Sequence, residues 1–87
     1  MKAAVYDEPG APGVLRYADV PDPVCGPKDV LIAVEAISIE GGDLINRRST
    51  PQQSPWIVGY AAAGTIVAIG EAVSDRAVGQ KVTAFSM

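Results

Sequence analysis

At 87 residues the chain has room for one domain at most, with a modest core. It is 48% hydrophobic and 20% charged, a globular balance rather than a disordered one. With no His, a single Cys (Cys25) and a net charge of −3, it cannot form a Cys/His zinc site, a Ser-His-Asp triad, a Cys-His pair or an internal disulfide, and it lacks the positive surface that a nucleic-acid backbone requires.

The N-terminus, Met1 to Glu8, meets acidic residues before an apolar signal region forms, so secretion is not indicated. The unpaired Cys25 agrees with a reducing cytosol, and a cytoplasmic location is expected. Lys2 to Tyr6 reads as a short strand, stopped by Glu8-Pro9-Gly10 and Pro12-Gly13. Leu15 to Val20 is a second short run. Pro21, Pro23, Gly26 and Pro27 then make an extended loop around Cys25, which cannot be a central strand.

Val30 to Ile39 is the strongest strand. Val30, Ile32, Val34 and Ala36 share one face and Leu31, Ala33 and Ile37 the other, which predicts burial on both sides for part of its length. Gly41-Gly42 ends it. Asp43 to Arg48 predicts one or two helical turns, with Gly42 or Asp43 near the N-cap. Ser49 to Pro55 is a polar loop. Ser49 to Gly70 carries no charge, but Pro51, Gln52, Gln53 and Pro55 occupy its first third. The apolar remainder is short of the roughly 20 residues of a spanning helix, so buried strands are expected and no membrane partner.

Ala61 to Ile69 is a further strand, and Gly64 inside it marks a bulge, bend or close backbone approach. A polar connection leads to a last strand, Lys81 to Phe85. The whole is mainly β, with five or six short strands and one short helix. Such a bent, glycine-punctuated set suggests a small, partly open β-barrel. The core is built from small and β-branched side chains, with 13 Ala and 11 Val against 5 aromatic residues.

Gly59, Gly64 and Gly70 match neither the dinucleotide fingerprint nor the Walker loop, so no cofactor-binding residues are assigned. Glu40 and Asp43 could act as paired carboxylates, but with no third acid nearby, capping by Asp43 and a solvated Glu40 is the better reading. Arg47 and Arg48 are phosphate binders or solvated loop charges. Nothing marks Cys25 as a reactive thiol. Tyr60, beside Gly59, either lines a pocket or simply packs.

Several stretches together carry a family resemblance: Met1 to Val5; Pro21 to Pro27 followed by Asp29-Val30-Leu31-Ile32; Ala36 to Asp43; and Pro55-x-x-x-Gly59 through Gly64, Val67, Gly70, Val73 and Gly79-x-x-Val82. The chain resembles the N-terminal, GroES-like catalytic domain of the medium-chain dehydrogenase/reductases, the superfamily of zinc alcohol dehydrogenases and quinone oxidoreductases. The resemblance implies a partial GroES-like domain over residues 1–87, incomplete relative to the family domain. It also implies that the dinucleotide-binding domain, which holds NAD or NADPH in the family, is absent. The expectation is therefore a truncation, a proteolytic remnant or a split gene product.

The zinc branch of the family carries a Cys where Glu40 stands, a proton-relay hydroxyl at Gly42 and a His at Tyr60; a Glu common across the superfamily is Ala61 here, and the family's Gly-Asp-x-Val has Gln80 in place of its Asp. The resemblance therefore implies no zinc and points to zinc-independent, NADPH-dependent quinone or enone reductases. Those usually carry an Asn where Glu40 stands. It assigns no catalytic residue, and it places Glu40, Gly42, Asp43, Tyr60 and Ala61 on the wall of the active-site cleft, with Asp43 orienting or capping. NADP(H) is not expected to bind this chain alone. The expected partner is the missing dinucleotide-binding domain. The rival reading is a free-standing GroES-like module that forms a homo-dimer, or binds another protein, through an apolar face or strand edge.

Overall fold

A computed structural model describes residues 1–85. Its strands are β1 (Lys2–Tyr6), β2 (Arg16–Asp19), β3 (Val30–Ser38), β4 (Trp56–Ile57), β5 (Ala61–Ile69) and β6 (Lys81–Phe85). One α-helix, α1, spans Gly41–Ser49, and a 3-10 turn covers Pro12–Val14. The chain is thus mainly β with one short helix. No helix among the described residues is long and apolar enough to cross a membrane.

The chain divides into two compact units. One holds Met1–Asp22 and Ile39–Tyr60; the other holds Pro23–Ser38 and the chain from Ala61 onward. The first unit carries an open antiparallel sheet in the order β2-β1-β4. β1 is its central strand, so Val5 and Tyr6, on opposite faces, are both fully buried. Tyr6 Oη reaches the end of α1, donating to the carbonyls of Asn46 (3.2 Å) and Thr50 (3.4 Å). The Asn46 carbonyl also accepts the Thr50 N–H at 3.0 Å, so the Tyr6 hydroxyl adds a second bond at the last turn of the helix. Arg47 closes a second link, its Nη1 donating to the Gly10 carbonyl at 2.6 Å while the Gly10 N–H donates to the Arg47 carbonyl at 2.7 Å. The Arg47 guanidinium is therefore engaged as a loop clamp.

The second unit carries an open antiparallel sheet in the order β3-β5-β6. Ile66 of β5 is fully buried. Gly64 pairs with Val34, and a Cβ on it would lie 2.9 Å from the Ala33 carbonyl carbon. The two backbones approach too closely for any side chain there, as the interior glycine predicts. The register slips at two places, leaving Val67 extra on β5 and Glu35 extra on β3. Glu35 accepts from Lys81 Nζ (2.6 Å) and Thr65 Oγ1 (2.7 Å).

Three expectations need correction. β3 is not buried on both sides: Ala33 to Ser38 are exposed, with Val34 at 58% and Ile37 at 67%. The described part of its unit contains no helix, so the sheet has no second layer there. α1 starts earlier and runs longer than expected, with Glu40 as N-cap and Gly41 and Gly42 inside its first turn. The paired glycines looked like a break, but capping and packing override their poor helix propensity. The two-residue strand β4 was not foreseen, because Trp56-Ile57 is too short to show any periodicity.

Candidate functional site

The start of α1 gathers most of the residues that the sequence singles out. Glu40 is the N-cap, with extended backbone dihedrals. Asp43 sits at the third helical position, and its carboxylate accepts the Glu40 N–H at 2.9 Å. The Asp43 N–H donates to the Glu40 carbonyl at 3.0 Å. The Glu40 side chain in turn accepts from the Asp43 N–H, so the pair forms a capping box, in which an acidic group also meets the positive end of the helix dipole. Glu40 is half-buried, so it is not the fully solvated carboxylate that the sequence suggested.

Tyr60 packs on Gly42. A Cβ built on Gly42 would lie 2.8 Å from Tyr60 Oη and 3.0 Å from Cζ, closer than real side chains come. The absent side chain is therefore what admits the ring. One turn further along the helix, the Asn46 side chain donates its Nδ2–H to Tyr60 Oη. Gly42 and Asn46 are four residues apart and so lie on one helix face. Glu40, Gly42, Asp43 and Tyr60 thus share one unit. Ala61 follows Tyr60 in the chain but opens β5 in the other unit.

Asn46 is the residue that sequence reading missed. It carried no motif, and only its spacing of four from Gly42 hinted at a shared face. Among the described residues, no three His, Cys, Asp or Glu side chains gather closely enough to hold a metal ion. The Asp43 carboxylate is already engaged by the Glu40 backbone. The donor set at the start of α1 therefore does not fit zinc. Cys25 lies in the other unit, its Sγ 3.4 Å from the Asp29 carbonyl.

Elsewhere, electrostatics shape the surface. The Glu35 carboxyl is held below its ordinary value by the Lys81 hydrogen bond, then by that of Thr65 and the Lys81 charge. The Asp7 carboxyl is lowered by hydrogen bonds from Ser54 (2.6 Å) and Arg16. Both networks face solvent, and Glu35 and Lys81 line an open surface depression together with Gly64 and Thr83.

An antiparallel, mainly β fold with a capped helix between β3 and β4 in chain order defines a class, and known proteins identify it. The family model of the alcohol dehydrogenase GroES-like domain matches residues 26–87. The chain belongs to that family, and with it to the medium-chain dehydrogenase/reductase superfamily. It is 42% identical over 72 residues to the zinc-type alcohol dehydrogenase-like protein YdjL of Escherichia coli K12, covering 80% of this chain and 20% of that one. Among solved structures it is similar to mycobacterial Rv1454c complexed with NADPH (TM-score 0.89, 35% identity, 99% of this chain and 28% of that one). It is also similar to the quinone oxidoreductase from Coxiella burnetii (TM-score 0.91, 29% identity, 98% and 29%). The chain thus spans between a fifth and under a third of the length of these relatives.

Proposed function

We propose that the chain is the N-terminal catalytic-domain portion of an NADPH-dependent, zinc-independent quinone or enone oxidoreductase, inactive by itself. The carrying observation is the packing of Tyr60 on Gly42 with Asn46 on its hydroxyl, at a helix start whose donors do not fit zinc. Likeness to Rv1454c, solved with NADPH, and to a quinone oxidoreductase supports the cofactor and substrate class. Such a reaction moves hydride from the nicotinamide to an activated acceptor, and the protein's share is to orient both and exclude water. Glu40, Gly42, Asp43 and Tyr60 form the proposed cleft wall, with Ala61 next in the chain. Asp43 serves as helix cap, which fits an orienting role rather than proton transfer.

The sequence contains no Gly-x-Gly-x-x-Gly segment between a strand and a helix. The isolated 87-residue chain, given NADPH and a benzoquinone, should therefore leave NADPH absorbance unchanged. Clear turnover would overturn the reading that a separate cofactor-binding domain is required.

A second reading rests on exposed apolar surface. Val34, Ile37 and Phe85 are 58%, 67% and 59% exposed on a sheet whose edge strands are β3 and β6. Such surface favours self-association or the docking of a partner domain. Light scattering should show a dimer or larger species, and a monomer across a wide concentration range would count against it.

A further inference from the structure

β3 is an edge strand, and among the described residues no strand pairs with its outer side. Ala33 to Ser38 are exposed, and the strand carries neither Lys nor Pro, two residues that keep native edges apart. Its one charge, Glu35, is satisfied within the sheet by Thr65 Oγ1 at 2.7 Å and Lys81 Nζ at 2.6 Å. Glu35 is also the extra residue of a bulge, and this shapes the edge. Val34 pairs with Gly64 and Ile37 with Ala62, two residues apart on β5, so Val34 and Ile37 share one face although they are three apart in sequence. They are 58% and 67% exposed. A regular strand alternates with period 2 and cannot match a spacing of three on one face. A second β3 carries the same spacing and can.

We infer that the outer edge of β3 pairs antiparallel with β3 of a second copy, about a two-fold axis between Glu35 and Ala36. The inference rests on the self-association reading above and commits it to one edge and one register; the oxidoreductase reading does not depend on it. In this register Val34 faces the partner's Ile37 and Ile37 the partner's Val34, so each exposed apolar side chain meets another. Glu35 faces the partner's Ala36. An axis on Glu35 itself would oppose two like charges, and an axis on Ala36 would set Glu35 against the partner's Ile37. The other edge, β6, is shorter and opens on Lys81. The contact is small beside the roughly 800 Å² that a standard interface takes from each partner, so the dimer is weak, with a dissociation constant of about 10–100 μM.

The test is sedimentation of the 87-residue chain from about 5 μM to about 1 mM. The wild type should pass from monomer to dimer. Ile37→Lys places a charge on the edge twice in each dimer and should raise the dissociation constant at least about 10-fold. Val78→Lys, at a residue 61% exposed but outside β3, should leave it unchanged. The register is read by cross-linking in a Cys25→Ser background. Directly opposed residues have Cα atoms about 4.5–5.5 Å apart, within disulfide reach. Val34→Cys with Ile37→Cys should therefore give a covalent dimer on oxidation. Either cysteine alone should not, because its own copy in the partner lies about 10 Å further along the strand. A folded Ile37→Lys variant that associates like wild type, a double-cysteine variant that associates without cross-linking, or species that grow beyond the dimer would each overturn the inference and leave self-association standing. A monomer at every concentration overturns both. The cross-link alone decides if circular dichroism shows Ile37→Lys unfolded.

Discussion

The phenol of Tyr60 stands where a side chain on Gly42 would have to stand, with 2.8 Å between Oη and the Cβ position of Gly42. Size complementarity between these two residues shapes the start of α1. It also sets the sign of a substitution that helix propensity alone would predict wrongly.

On propensity, Gly42→Ala should gain up to about 1 kcal/mol. The Tyr60 ring opposes this, because a rigid aromatic cannot swing aside like the end of a flexible chain. We expect Gly42→Ala to destabilise the chain by about 1–3 kcal/mol in urea unfolding. In a Tyr60→Ala background the same change should turn neutral or stabilising, a coupling that a double-mutant cycle reads directly. Destabilisation of equal size in both backgrounds would refute the packing account.

Asp43 holds the first turn of α1 through the Glu40 N–H. Asp43→Ala removes this bond and a favourable charge at the helix N-terminus, and should cost about 1 kcal/mol. Asp43→Asn, which keeps an accepting oxygen, should recover part of the loss. An unchanged urea midpoint in the alanine variant would remove the capping role.

At Gly64 the expected effect is larger. A methyl group there meets the Ala33 carbonyl, a backbone atom that cannot move without breaking the β3–β5 ladder. Gly64→Ala should destabilise by at least about 3 kcal/mol or abolish folding. Circular dichroism and solubility would reveal either. A variant as stable as wild type would mean that the strands pair differently.

The capping box was only half legible in the sequence. Asp43 was correctly read as a capping group, but the cap residue itself is Glu40, an acid that is not among the favoured N-cap types. The strands β1, β2, β3, β5 and β6 were readable because β-rich runs between Gly and Pro clusters carry local signals. The exposure of β3 was not readable, because periodicity reports which residues share a face and not whether a layer covers it. Asn46 was invisible for a related reason. Its importance comes from Tyr6 and Tyr60, which reach it from 40 and 14 residues away in the chain.

Acid should weaken the fold in a defined window. Glu35 lies below its ordinary value of 4.5 and Asp7 below 3.8 in the folded chain. A depressed carboxyl contributes stability that is present above the unfolded value and is lost as pH falls through the folded one. Stability should therefore hold from neutrality down to about pH 5 and decline below it. Urea midpoints taken across that range should show a shallower acid decline in Glu35→Gln with Asp7→Asn. The same acid slope in the double variant would assign the decline to other groups.

The central claim is that this chain forms part of a quinone- or enone-reducing site once a cofactor domain is supplied. The direct measurement grafts it in place of the matching 28% of mycobacterial Rv1454c and follows NADPH oxidation with duroquinone. The account predicts quinone-dependent NADPH oxidation by the folded graft. A graft that folds and binds NADPH yet leaves duroquinone unreduced would contradict it.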